Sequence, residues 1–108
     1  MGASARPFAG AVLHVRLADR VPHGTEVDVS ANGQTARARV GWLGGFFHQL
    51  RCDREVSGSY GEPLLLSIGE QRVGGVILDP AARRQGPSND LLVRLTRLWE
   101  GRPEGEDD

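Results

Sequence analysis

Apolar residues recur at every second position through most of this chain. In Ala11-Val12-Leu13-His14-Val15-Arg16-Leu17, His14 and Arg16 share one face, and Leu13, Val15 and Leu17 fall on the other. That is the period of a half-buried strand. Thr25-Glu26-Val27-Asp28-Val29 alternates in the same way, with Glu26 and Asp28 on a solvated face. Asn32-Gly33 follows, the strongest short hairpin signal, because both residues accept positive φ in a type I′ turn. Gln34-Thr35-Ala36-Arg37-Ala38-Arg39-Val40 returns with Arg37 and Arg39 on one face. Trp42-Leu43-Gly44-Gly45 reads as a turn and Phe46–Cys52 as a fourth strand. Leu64-Leu65-Leu66-Ser67-Ile68 is a continuous apolar run, expected to be a central strand, after a loop over Ser57–Pro63. Gly69-Glu70-Gln71 turns the chain into Arg72-Val73-Gly74-Gly75-Val76-Ile77-Leu78-Asp79-Pro80. In that last strand the glycine pair marks a bulge or a close backbone approach. Asp79-Pro80 ends it, because proline has no N–H for a ladder.

Six short strands at about ten-residue spacing predict an all-β fold, a six-stranded antiparallel closed barrel over 11–80. Closure would remove the exposed edges that short strands leave. One C-terminal helix is expected over 88–101. Ser88 is a good N-cap, and Leu91, Leu92, Leu95, Leu98 and Trp99 make one apolar stripe. Arg94 and Arg97 fall on the solvent side, Gly101 stands where a C′ residue belongs, and Pro103 prevents continuation. The stripe must bury against the barrel, a further domain or a partner. Residues 1–10 read as a flexible lead-in, 81–87 as a basic linker with Arg83-Arg84, and 102–108 as an acidic disordered tail.

Composition narrows the classes. The chain has 108 residues and a formal net charge of −1, so it has no global attraction to nucleic acid or anionic membrane. Apart from the acidic tail, the body is mildly basic. Every basic residue is Arg and none is Lys. Codon bias in a GC-rich genome explains this, and so does a preference for the forked phosphate geometry of guanidinium. The absence of Lys excludes a GxxxxGK[ST] phosphate loop. The single Cys52 excludes an internal disulfide. No apolar run approaches the length of a membrane span, and the N-terminus lacks the apolar core of a signal peptide. A cytoplasmic location is expected.

No constellation suggests catalysis. The three histidines and Cys52 do not match a metal-ligand spacing. His48 and Cys52, four apart on a strand, would lie about 13 Å apart, too far for a thiolate–imidazole pair. The chain is expected to be no enzyme and to hold no cofactor. Arg37, Arg39, Arg51, Arg54, Arg72 and Arg83-Arg84 would form a phosphate-contact surface if they converge. Aromatic residues are 6% of the chain, too few to suggest base stacking, so an RNA contact should be to the backbone of a structured RNA.

The strand series resembles the third domain of the elongation factor Tu superfamily, above all that of the selenocysteine-specific factors (SelB). The resemblance rests on His23-Gly24, Ala38-Arg39-Val40, Gln49-Leu50-Arg51, Gly61-Glu62 and Val73-Gly74-Gly75-Val76-Ile77-Leu78-Asp79-Pro80, in order from about Val12 to Pro80. The basic turn and leucine-rich helix that follow resemble the segment leading into that factor's winged helices. It implies a non-catalytic barrel that contacts the acceptor-arm and T-stem backbone of selenocysteyl-tRNA and packs against the GTPase and winged-helix domains. GTP and Mg would belong to the parent factor, and the ribosome would be reached through it. By the resemblance, the RNA-facing residues would be Gly69, Glu70, Gln71 and Arg72, with a second contact at Asn32, Gly33 and Gln34; Arg37 and Arg39 would add phosphate contacts. Gly74, Gly75, Asp79 and Pro80 would be structural. The alternative is a free-standing, diverged barrel that binds protein through Leu91, Leu95, Leu98 and Trp99.

Overall fold

The structure, a computed structural model, describes residues 12–80, 82 and 86–101. The expected lead-in, most of the basic linker (Arg83-Arg84 included) and the acidic tail lie outside the described residues. The strands are β1 (Val12–Leu17), β2 (Glu26–Ala31), β3 (Gln34–Gly44), β4 (Phe47–Cys52), β5 (Pro63–Ile68) and β6 (Gln71–Asp79). One helix follows, α1 (Asn89–Gly101). The strands close into a barrel in the order β1-β4-β3-β2-β5-β6, with β6 pairing back onto β1 and every pair antiparallel.

Alternation fills the interior. Leu13, Val15 and Leu17 of β1 meet Val27, Val29, Val40, Leu50, Leu66 and Ile77 in one buried cluster. The small residues Ala31, Ala36 and Ala38 line the same core, where they leave room for the larger residues opposite. At Asn32 φ is 55° and at Gly33 it is 77°, so the β2–β3 hairpin is the expected type I′ turn. Gly69 has φ 61° and Glu70 stays at negative φ, a glycine-first hairpin of type II′.

Two features depart from simple alternation. β3 continues through Trp42 and Leu43 to Gly44, and the chain turns only at Gly45 and Phe46. The expected turn over Trp42–Gly45 is therefore corrected: the β3–β4 ladder still pairs Trp42 with His48. The register then shifts between Trp42 and Gly44, leaving Leu43 as the extra residue. A second shift, where His14 faces Asp79 and Val15 faces Ile77, leaves Leu78 extra in β6. Bulges re-aim side chains. Leu43 and Leu78 belong to a second buried cluster with Leu91 and Leu95 of α1, flanked by Phe47, Leu98 and Trp99.

The helix stripe therefore packs on the barrel's own exterior. Leu91 and Leu95 are buried, so of the expected partner face Leu91, Leu95, Leu98 and Trp99 the barrel itself covers the first two, while Leu98 and Trp99 are partly buried. Ser88 caps the helix as expected, accepting the Leu91 N–H at 3.1 Å on its hydroxyl. Arg94 does not simply face water; it reaches Asp79 Oδ2 at 3.0 Å. The Tyr60 hydroxyl donates to the Leu98 carbonyl, and the Arg16 guanidinium lies 4.2 Å from the Trp99 ring centroid and 5.3 Å from that of Phe46. The helix also rests on Gly44, where an added Cβ would come within 2.9 Å of Leu92.

The apolar run Leu64–Ile68 forms the expected central strand, β5, paired with β2 on one side and β6 on the other. Leu64 and Leu66 point inward, while Leu65 is 38% exposed, because a barrel wall has a single buried face where no helix covers it. Strand direction defines two ends. The lower end carries the β1–β2 loop, the β3–β4 turn and the β5–β6 hairpin; the upper end carries the β2–β3 hairpin and the β4–β5 loop. The chain enters and leaves the barrel at the upper end, where the Ala82 N–H donates to the Val12 carbonyl at 3.0 Å.

Candidate nucleic-acid interface

The residues expected to meet RNA do not gather in one place. β5 runs antiparallel to β2, with Asp28 opposite Ser67 and Ser30 opposite Leu65. Asn32, Gly33 and Gln34 therefore sit at the upper end and Gly69, Glu70, Gln71 and Arg72 at the lower end. Gln34 is also engaged: its amide donates to the Ser57 carbonyl and accepts the Ser57 N–H, at 3.3 and 3.2 Å. It fastens the β4–β5 loop.

Arg37 and Arg39 belong to a cross-strand charge ladder. Glu26 lies opposite Arg39 and Asp28 opposite Arg37. Arg39 reaches Glu26 at 3.1 Å, and Arg37 reaches Asp28 at 3.4 Å and Glu26 at 3.5 Å. These pairs are more than half exposed, so each contributes little to stability. They do, however, offset the charge a phosphate would need. Laterally the row continues Arg37, Asp28, Ser67, Arg72 across β3, β2, β5 and β6, which puts Arg37 and Arg72 about 15 Å apart. Arg51 lies directly opposite Arg39 across β3 and β4, but Asp28 and Ser67 separate Arg37 from Arg72, so the arginines do not all converge on one bare patch. Arg54 lies 3.6 Å from Asp53 on its own loop.

The lower end is indented between two of its connections. A cleft of about 600 Å³ lies between the β1–β2 loop and the β5–β6 hairpin, lined by Asp19, Arg20, Thr25, Ile68, Gln71 and Arg72 among others. Arg72 has no carboxylate partner among the described residues, in contrast to Arg37 and Arg39. The Arg20 guanidinium carbon lies over the Trp42 ring, 5.2 Å from its centroid.

Two imidazoles hold the loop that carries Arg20. His48, fully buried, accepts the Val21 N–H on Nε2 at 3.0 Å. Its Nδ1 lies 2.8 Å from the Phe46 carbonyl. Because Nε2 must accept, the proton sits on Nδ1 and is donated to Phe46. Burial lowers the His48 pKa below its usual 6.5; the Arg20 charge adds to the effect and the Phe46 carbonyl opposes it. His23 Nδ1 accepts the Trp42 N–H at 3.2 Å. The loop also exchanges backbone bonds with β3, Gly24 N–H to Val40 carbonyl at 2.7 Å and Val40 N–H to Thr25 carbonyl at 2.9 Å. Sequence alternation does not reveal this role for histidine, since an inward imidazole at a strand end looks like any other core position.

Cys52 is buried on the inner face of β4, and burial, reinforced by the neighbouring Asp53, pushes its thiol up to about 11. Leu50 separates it from His48 on the same face. Among the described residues no group of three or more His, Cys, Asp or Glu is placed to hold a metal ion, and no helix is long and apolar enough to cross a membrane. No family model matches the chain, and no curated protein matches it significantly in sequence.

Proposed function

We propose that this barrel is a non-catalytic RNA-backbone recognition module, corresponding to the third domain of a selenocysteine-specific elongation factor. Its lower end would meet the acceptor-arm and T-stem backbone of selenocysteyl-tRNA, and its other surfaces would pack against the GTPase and winged-helix domains of the parent. GTP, Mg and the ribosome are then partners of the parent factor. The observation that carries the reading is the lower cleft, where Arg72, free of a carboxylate partner among the described residues, and Arg20 line one opening with the Gln71 amide. Guanidinium and amide donors of this kind hold phosphate oxygens without reading sequence. The reading narrows the expected contact to the β5–β6 hairpin and sets aside Gln34, Arg37 and Arg39, whose side chains are engaged elsewhere.

Fluorescence anisotropy with a labelled selenocysteine tRNA tests it. Binding should weaken as salt rises, and the combined Gln71→Ala, Arg72→Ala variant should bind several-fold more weakly. Removing one phosphate contact should flatten the salt dependence by about one unit of slope. Arg37→Ala should bind as wild type. Unchanged affinity in the double variant would sink the assignment.

The protein-interaction reading through α1 loses its main support, because Leu91 and Leu95 are already buried against Leu43 and Leu78.

A further inference from the structure

We propose that Trp42, with Arg20 beside it, is a stacking platform for an unpaired nucleobase at the end of an RNA duplex whose phosphates reach Arg72. The proposal rests on the RNA-backbone reading above and adds a ligand class to it.

Trp42 continues the inward row of β3 (Ala36, Ala38, Val40) to the lower mouth of the barrel, opposite the buried His48. There its ring leaves the core and is 37% exposed. The indole is nevertheless held: Nε1 donates to the Gly45 carbonyl at 2.9 Å and the backbone N–H is bound by His23. A ring fixed before binding loses little freedom when a base stacks on it. Arg20 joins the two chemistries, since its guanidinium lies over the Trp42 ring and its side chain also lines the cleft that holds Arg72. Asp19 lines the same cleft, which directs phosphate toward the Arg72 side.

A held π face, a guanidinium 5.2 Å from its centroid and a second arginine across a cleft suit a ligand that is flat and apolar at one point and anionic next to it. A nucleotide strand has that character. Stacking tolerates any base, and stacking on guanidinium planes and on aromatic rings both occur in RNA recognition. A paired base inside a duplex cannot offer its face, so the occupant is an unpaired base adjoining the duplex.

The test compares two labelled RNAs of the same duplex, one blunt and one with a short single-stranded 3′ overhang, titrated with the whole chain. Wild type should bind the overhang RNA about tenfold more tightly, the gain expected from one stacked base. Trp42→Leu should erase that preference, so that the variant binds the two RNAs alike; Trp42→Phe should keep most of it. A thermal melt of each variant shows that the barrel is folded. Equal binding of the two RNAs by wild type, or a preference that survives Trp42→Leu, overturns the platform and leaves the backbone reading standing. Binding of neither RNA overturns both. RNA binding unaffected by Trp42→Leu, together with a change in sedimentation, would assign the patch to protein contact and overturn the proposal.

Discussion

A methyl group on Gly75 would sit 2.7 Å from the Arg16 carbonyl oxygen and 2.6 Å from Leu17 Cδ2, whereas one on Gly74 would meet nothing within 4 Å. The adjacent glycines therefore differ in kind: one permits β6 to close against β1, and the other is a wall residue. Gly75→Ala should lower stability by about 1–3 kcal/mol, the range for overpacking, while Gly74→Ala should stay within about 0.5 kcal/mol; chemical denaturation of both variants measures the contrast. The motif marked a close approach, but only neighbouring strands say which glycine makes it. His48 gives a second residue-scale outcome. Its folded pKa lies below 6.5, so the unfolded chain takes up a proton first as pH falls. The stability that neutral His48 carries is complete above about 6.5 and is lost progressively below it. His48→Gln should flatten the fall in denaturation midpoint between pH 7.5 and 5.5. An equal fall in wild type and variant would show that other groups cause it.

At the scale of elements, the strands and the helix were legible because their periods differ, and the hairpins because Asn32-Gly33 and Gly69 have turn chemistry. The bulges were not. Leu43 and Leu78 look like ordinary strand residues, and only the pairing on either side shows that each is the extra residue beneath α1. The helix stripe was visible, and its occupant was not, because a stripe specifies burial without naming what covers it. Leu95, fully buried in that seam, should cost about 2–5 kcal/mol when cut to Ala. Leu95→Asp should release the helix from the barrel: the amides of α1 should exchange rapidly while those of β2, β3 and β5 keep their protection. Loss of protection throughout would mean that helix and barrel unfold as one unit.

For the molecule as a whole, the closed barrel leaves no edge strand to open first. Cys52, inside that ring with a raised thiol pKa, should react with an alkylating reagent only at the rate of global unfolding, and labelling should accelerate in step with the unfolding rate as denaturant is added. The candidate interface was less legible than the fold. Arginine positions can be read one at a time, but whether Arg37 is matched by Asp28, or Arg72 left open, depends on lateral neighbours drawn from four strands. Ring closure also settles where the chain crosses the barrel boundary. Val12 and Ala82 are hydrogen-bonded at the upper end, so both crossings lie side by side and the cleft faces away from them. The barrel is thus a pendant: spliced into a surface loop of another protein, it would hang by two adjacent strands of chain, with Arg72 and Trp42 at its far tip.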